Sequence, residues 1–293
     1  MVVVCIWKLG AYGWDYFRSR QLSSQLRAEY YAQGTQPPEE AAAPTEAAPT
    51  PTSPPAVKAA APAGTPAVPA AAATRAIYSD YPSNPFLRIS ERFQKLRRRN
   101  SDIVGWVTIE ELLDEAVVQR DNSYYLRRDY LGYHNTNGAI FLEESIGLRS
   151  RPSALLLYGH NMKTGAMFGC LRNYETLSFY KKNPYITFDT LYEDGRYIIF
   201  AVAQVNIDPT SGSHAAFYQL PSCSNERKAQ IISDLCRLSM YSCPLDVQPE
   251  DQLLLLITCM GDDDERRVVA ARRVREGETE DSLAAALRSL RKR

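Results

Sequence analysis

Residues 253–274 read LLLLITCMGDDDERRVVAARRV. Four leucines and an isoleucine run into Thr258 and Cys259, and after Met260 and Gly261 come four acidic residues, a double arginine and a second apolar run. Short apolar runs bounded by turn residues read as buried strands. The acidic turn is short enough for a hairpin, which returns an arginine beside the cysteine. Alternate residues of an extended strand share a face, so Arg266 goes with Val268, Ala270 and Arg272, and Arg267 with Val269, Ala271 and Arg273.

A second strand of this kind lies in ALLLYGHNMKTGAMF, residues 154–168. Its apolar part stops at Tyr158-Gly159, and His160 follows; glycines at 159 and 165 permit a sharp turn. Two rigid strands thus each deliver a reactive side chain at the tip, a good way of holding a site to close tolerance. Cysteine, histidine and arginine together supply a nucleophile, a proton carrier and a fixed cation for an oxyanion. Singly, each has a plainer explanation. A cysteine closing an apolar strand is commonly an inert buried thiol, a histidine at a strand end is commonly a turn residue, and arginines after an acidic run form surface ion pairs of ~0–1 kcal/mol. The weight comes from all three occurring on strands that could be neighbours.

The flanking chain supplies the rest of an all-β barrel or sandwich. VGWVTI, AVVQ, GAIFLE, YITFDT and RYIIFAVAQVNI are short, rich in β-branched and aromatic residues, and separated by Gly, Asn, Asp or Pro. One helix interrupts them: SNERKAQIISDLCRLSMYSC carries Ile231, Ile232, Leu235 and Leu238 on one stripe, capped by Ser224 or Asn225. Another helix is expected in NPFLRISERFQKLRRRNSD, with Asn84 as cap, Pro85 at the first position and Phe86, Ile89, Phe93 and Leu96 inward. DSLAAALRSLRKR closes the chain as an amphipathic piece with cations at its C-terminal end.

Upstream, residues 36–77 are rich in Pro and Ala and contain almost no large aliphatic, so they cannot offset the entropy of ordering. They read as a semi-stiff disordered linker. Residues 1–35 begin MVVVCIW, too short to cross a bilayer, which needs ~20 apolar residues. Trp7, Tyr12, Trp14, Tyr16 and Phe17, followed by Arg18 and Arg20, have the composition of an interfacial belt. The residues leave two readings open: an ordinary apolar helix start, or the end of a membrane anchor whose beginning is missing. The expected organisation is 1–35 anchor end and juxtamembrane helix, 36–77 linker, and 78–293 folded domain.

Lys plus Arg equals Asp plus Glu, at 34 each, which removes any bulk-charge argument for a nucleic-acid partner. The six cysteines (5, 170, 223, 236, 243, 259) form no CxxC pair, and with three histidines (134, 160, 214) no metal-ligand spacing emerges. No glycine-rich loop offers a nucleotide seat, so neither cofactor nor metal is expected.

From about Phe86 to Glu278 the chain resembles a class B sortase, a cysteine transpeptidase of the Gram-positive cell surface. The resemblance rests on Leu255-Leu256-Ile257-Thr258-Cys259 in place of the family's Thr-Leu-x-Thr-Cys strand, on Arg266 in an Arg-x-Val-Val pattern, and on Tyr158-Gly159-His160. VVQRDNSYYLRRDYLG, GAIFLE, YGHNMKTGAMFGCL and YITFDT follow the family in order, and the helix around 224–241 is similar to the extra helix of class B. Leu255 departs from the family's threonine. A common loop length favours Arg267; strand register favours Arg266.

The resemblance implies a closed barrel whose Cys259 attacks the scissile carbonyl of a C-terminal sorting motif on a secreted protein. His160 would then act as general acid and base, and Arg266 would stabilise the oxyanion. An amine of a peptidoglycan precursor would receive the acyl group, without a cofactor. Family members carry one N-terminal membrane helix with the enzyme outside, so the resemblance implies a single-pass, cell-membrane location, with MVVVCIW as the end of that helix. Ordinary pKa values of ~8.5 for a thiol and ~6.5 for an imidazole make the thiolate–imidazolium pair a minority form, hence slow turnover and a bell-shaped pH profile. Two rivals are a chymotrypsin-like cysteine peptidase, which would want a Gly-x-Cys-Gly turn, and a non-enzymatic β-domain displayed on a proline-rich stalk.

Overall fold

The computed structural model describes residues 2–32, 80–260 and 264–293, with the side chains of 2–12 and of Cys259 outside that description. The Pro/Ala segment assigned to 36–77 also lies outside it, as does most of the acidic turn. Helix α1 (Val2–Tyr31) comes first and α2 (Glu91–Arg99) follows the undescribed segment. The strands are β1 (Ile103–Ile109), β2 (Leu113–Val118), β3 (Phe141–Leu142), β4 (Ala154–Tyr158), β5 (Tyr185–Thr190), β6 (Arg196–Asn206), β7 (Tyr241–Ser242), β8 (Leu253–Cys259), β9 (Glu265–Arg273) and β10 (Arg291–Lys292). Eight of them close a barrel in the order β1-β2-β3-β4-β8-β9-β6-β5, while β7 and β10 pair separately.

The pairing that matters for the site is β4 with β8, a parallel contact between strands far apart in sequence. Both runs are buried on both faces: Ala154–Leu157 and Leu253–Leu256 have no exposed area. One face fills the barrel and the other is covered by packed turns and helices, which is why neither sequence alternates apolar with polar. Burying each such leucine side chain contributes about 1.5–3 kcal/mol, so these two strands are firmly held in the sheet. Helix α3 (Asn225–Leu238) is inserted between β6 and β8 and capped by Ser224, whose hydroxyl accepts from the Arg227 amide. Its buried Lys228 reaches the carbonyls of Ser153 (3.0 Å) and Asp251 (2.6 Å), tying the helix to the starts of β4 and β8. The fold is mainly β, a closed barrel with an N-terminal helix and an inserted helix before the cysteine strand, as expected.

Two expectations are corrected. Helix α2 starts after Ser90, not at Asn84: the Asn84 side chain instead accepts from the Arg88 amide and donates to the carbonyls of Arg88 and Tyr192, closing a turn. Phe86 consequently faces solvent. The expected single-pass membrane location is overturned as well: among the described residues no helix is long and apolar enough to cross a membrane. Helix α1 docks on the barrel instead. Ser19, Leu22, Ser23, Leu26 and Tyr30 recur at helical spacing and are all buried. Tyr30 stacks on Trp106 with ring centroids 4.3 Å apart and donates to Asp189 at 2.5 Å. Arg27 pairs with Asp114 at 2.8 Å, and Glu29 with Arg99 at 2.7 Å. Trp14 and Phe17, grouped above with an interfacial belt, lie exposed on the opposite side of this docked helix.

Candidate active site

Parallel register brings the two reactive strand ends level. Tyr158 pairs with Ile257, and the ladder runs one step further through the Gly159 amide, which donates to the Ile257 carbonyl at 3.2 Å. Two residues beyond Tyr158 and Ile257 stand His160, just past the end of β4, and Cys259, the last residue of β8. On the opposite side β9 returns antiparallel, with Cys259 opposite Arg266 and Thr258 opposite Arg267. Directly opposed residues share a face. Arg266 therefore belongs to the face of Tyr158 and Ile257, and Arg267 to the other.

The side chains follow that division. His160, Tyr158, Ile257 and Arg266 line one cleft of about 310 Å³ together with Leu126 and Phe141. Phe141 stacks on Tyr158, centroids 5.5 Å apart, giving the cleft a flat aromatic wall. Burial pushes the Tyr158 phenol well above its ordinary range, with Glu143 adding to the effect and the Arg266 cation opposing it, so this hydroxyl stays protonated. The Arg266 guanidinium donates to the Glu265 carbonyl at 2.9 Å, which holds it along the cleft's rim. Arg267, in contrast, is 4% exposed and ion-paired with Glu175, and its Nε has no hydrogen-bond partner among the described residues.

His160 has one anchor that sequence reasoning missed. Its Nε2 lies 2.6 Å from the backbone oxygen of Leu126. A carbonyl can only accept, so Nε2 carries a proton and Nδ1 is the nitrogen left for the chemistry. Leu126 sits in a 3-10 turn (Tyr124–Arg127). That turn is held by the Ala139 amide donating to the Tyr125 carbonyl at 3.0 Å, and by the Tyr125 hydroxyl donating to Asp102 at 2.8 Å. Gly138 passes directly under the imidazole with φ +63°; a Cβ there would come within 2.7 Å of the Tyr125 oxygen and 3.0 Å of His160 Cδ2. No residue type announces a main-chain acceptor. The one signal was the glycine in NTNGAIF, needed for its positive φ.

No protein-family model matches the chain. The chain is similar to the sortase B of Listeria monocytogenes, 27% identical over 175 residues that cover 58% of this chain and 68% of the relative. Among solved structures it is similar to Bacillus anthracis sortase B, with TM-score 0.57 and 27% identity over 67% of this chain and 91% of that one. A Staphylococcus aureus sortase B–substrate complex gives TM-score 0.56 and 26% identity over 65% and 88%. A closed barrel with these relatives is a sortase, a cysteine transpeptidase, and the two rival readings are set aside. Within the sortases the chain is of class B, as the relatives and the helix inserted before the cysteine strand agree.

Proposed function

We propose that Cys259, His160 and Arg266 carry out the transpeptidation, and that the cleft lined by Leu126, Phe141, Tyr158 and Ile257 receives the sorting motif of a protein substrate. The observation that carries this reading is the double register: Tyr158 beside Ile257 in parallel and Cys259 opposite Arg266 in antiparallel. The Cys259 thiolate attacks the scissile carbonyl, forming a C–S bond. The Arg266 cation, on the same face, balances the charge that develops on the carbonyl oxygen. His160, held through Nε2 by the Leu126 carbonyl, gives the Nδ1 proton to the leaving amine as the C–N bond breaks, and a thioester remains. The incoming amine, for which a peptidoglycan precursor is the proposed source, loses its proton to His160 and displaces the thiolate.

We also propose that the catalytic unit comprises the docked α1 together with the chain from residue 78 onward, so that the 36–77 segment joins two pieces of one fold. The test is to mix the full chain with a panel of sorting-motif peptides and short amines and to read ligation products by mass. Ligation that disappears in Cys259→Ala supports the reading; products unchanged in that variant would overturn it.

A further inference from the structure

A transpeptidase must seat two substrates at one sulfur, the acyl donor and the amine that replaces its leaving group. His160 stands between two cavities. One is the cleft with Arg266. The other, about 590 Å³, is lined by His160, Asn161, Lys163, Arg172, Glu175 and Arg267 among others. Strand alternation is the cause: successive arginines on β9 go to opposite faces, so each cavity receives one.

The second cavity differs from the first in charge. Lys163, Arg172 and Arg267 face a single carboxylate, Glu175, which is taken up by Arg267. Arg172 spends its hydrogen bonds on backbone oxygens, Gly169 at 2.8 Å and Met162 at 2.7 Å, so its charge is held in place without being neutralised. Lys163 stands exposed at the rim. Two buried polar atoms have no partner among the described residues: Nε of Arg267, itself 4% exposed, and Oδ1 of Asn161. An acceptor oxygen suits the first and an N–H suits the second.

We propose that this cavity is the acceptor seat and that it selects a short amino-acid or peptide amine carrying its own carboxylate. The inference rests on the sortase reading above. Entering from this side, the amine nitrogen attacks the thioester carbon on the face opposite the donor cleft. The C–N bond forms, the C–S bond breaks with its electron pair going to sulfur, and the ammonium proton passes to His160. The carboxylate end lies against Lys163 and Arg172, as oppositely charged groups pair.

The test uses the full chain, the peptide that acylates Cys259 in the panel, and two acceptors, glycylglycine and glycylglycinamide, which differ in the C-terminal charge. The expected result is a KM for the acid about fivefold below that for the amide, from one or two partly exposed charge pairs, and parity of the two in Lys163→Gln and in Arg172→Gln. Because Lys163 is an exposed side chain, its substitution is not at risk of failing to fold. Equal KM values in the unsubstituted protein, or a preference surviving in both variants, would overturn the proposal. Absence of any thioacyl adduct with every donor would instead remove the sortase reading, and this inference with it.

Discussion

Replacing Arg266 and Arg267 one at a time separates the two roles assigned to neighbouring residues of the same type. Arg266 is opposite Cys259 and lines the donor cleft, whereas Arg267 is buried on the other face beside Glu175. If Arg266 has the proposed role, Arg266→Gln removes the cation that balances the developing oxyanion, and the loss of one such donor costs about 10²–10³-fold in rate, or about 2.7–4 kcal/mol of barrier. The half-exposed strand-end site makes the accompanying stability change small, within about 0.5 kcal/mol. Arg267→Gln does the reverse. It breaks a hydrogen-bonded ion pair whose other member, Glu175, is 45% exposed and can rehydrate, so the cost is about 1–3 kcal/mol. In a domain of this size that lowers Tm by about 2–4 °C per kcal/mol. The assay is single-turnover acylation of Cys259 by a sorting-motif peptide, followed by mass, with thermal unfolding of the same samples. Acylation within about threefold of the parent in Arg266→Gln would refute the reasoning from register. So would a hundredfold acylation loss, at unchanged Tm, in Arg267→Gln.

Three further outcomes are expected. Leu26→Ala removes a fully buried contact between α1 and the barrel and should cost about 2–5 kcal/mol in the main unfolding transition; an unchanged Tm would mean that α1 does not dock. Glu115, facing α1, has its carboxyl pushed up to about 7 by burial, with hydrogen bonds to Ser23 and Tyr130 opposing the shift. The folded protein thus holds a proton that the unfolded chain releases near 4.5, so stability falls as pH rises between those values, by about 3 kcal/mol in all. Glu115→Gln should flatten that decline and raise Tm at about pH 8, by about 2–4 °C per kcal/mol recovered, and an unaltered pH–Tm curve would contradict it. Gly138→Ala forces a Cβ against the Tyr125 oxygen and the His160 ring; a displacement of about 1 Å should cost about 10²-fold in acylation, measured by single turnover, beyond any change in Tm.

Much of the barrel was legible in the sequence because its strands are short apolar runs between turn residues. The β8–β9 hairpin in particular is local, so its existence could be read from LLLLITC and RRVVAARR, but loop length and strand register pointed to different arginines, and the pairing of Cys259 with Arg266 is seen only in the structure. The parallel contact of β4 with β8 was not legible in that way: Leu155 and Leu254 are paired across about a hundred residues, and nothing in either run names its neighbour. The Leu126 carbonyl was hidden because every residue has one. For α1 the residues left two readings open and the resemblance decided for a membrane anchor, whereas the spacing of Ser19, Leu22, Ser23, Leu26 and Tyr30 marks one buried stripe rather than a lipid-facing surface. Asn84 misled through a real property, since asparagine closes turns as readily as it caps helices.

The most direct test of the central claim is intact-protein mass after a brief mixing with a sorting-motif peptide, followed by mapping of the modified site. A thioester-linked acyl fragment on Cys259, released by hydroxylamine and lost in both Cys259→Ala and His160→Ala, is the predicted result. Peptide cleavage that proceeds at an undiminished rate in Cys259→Ala, or an adduct mapped to Cys170, Cys223, Cys236 or Cys243 alone, would contradict it.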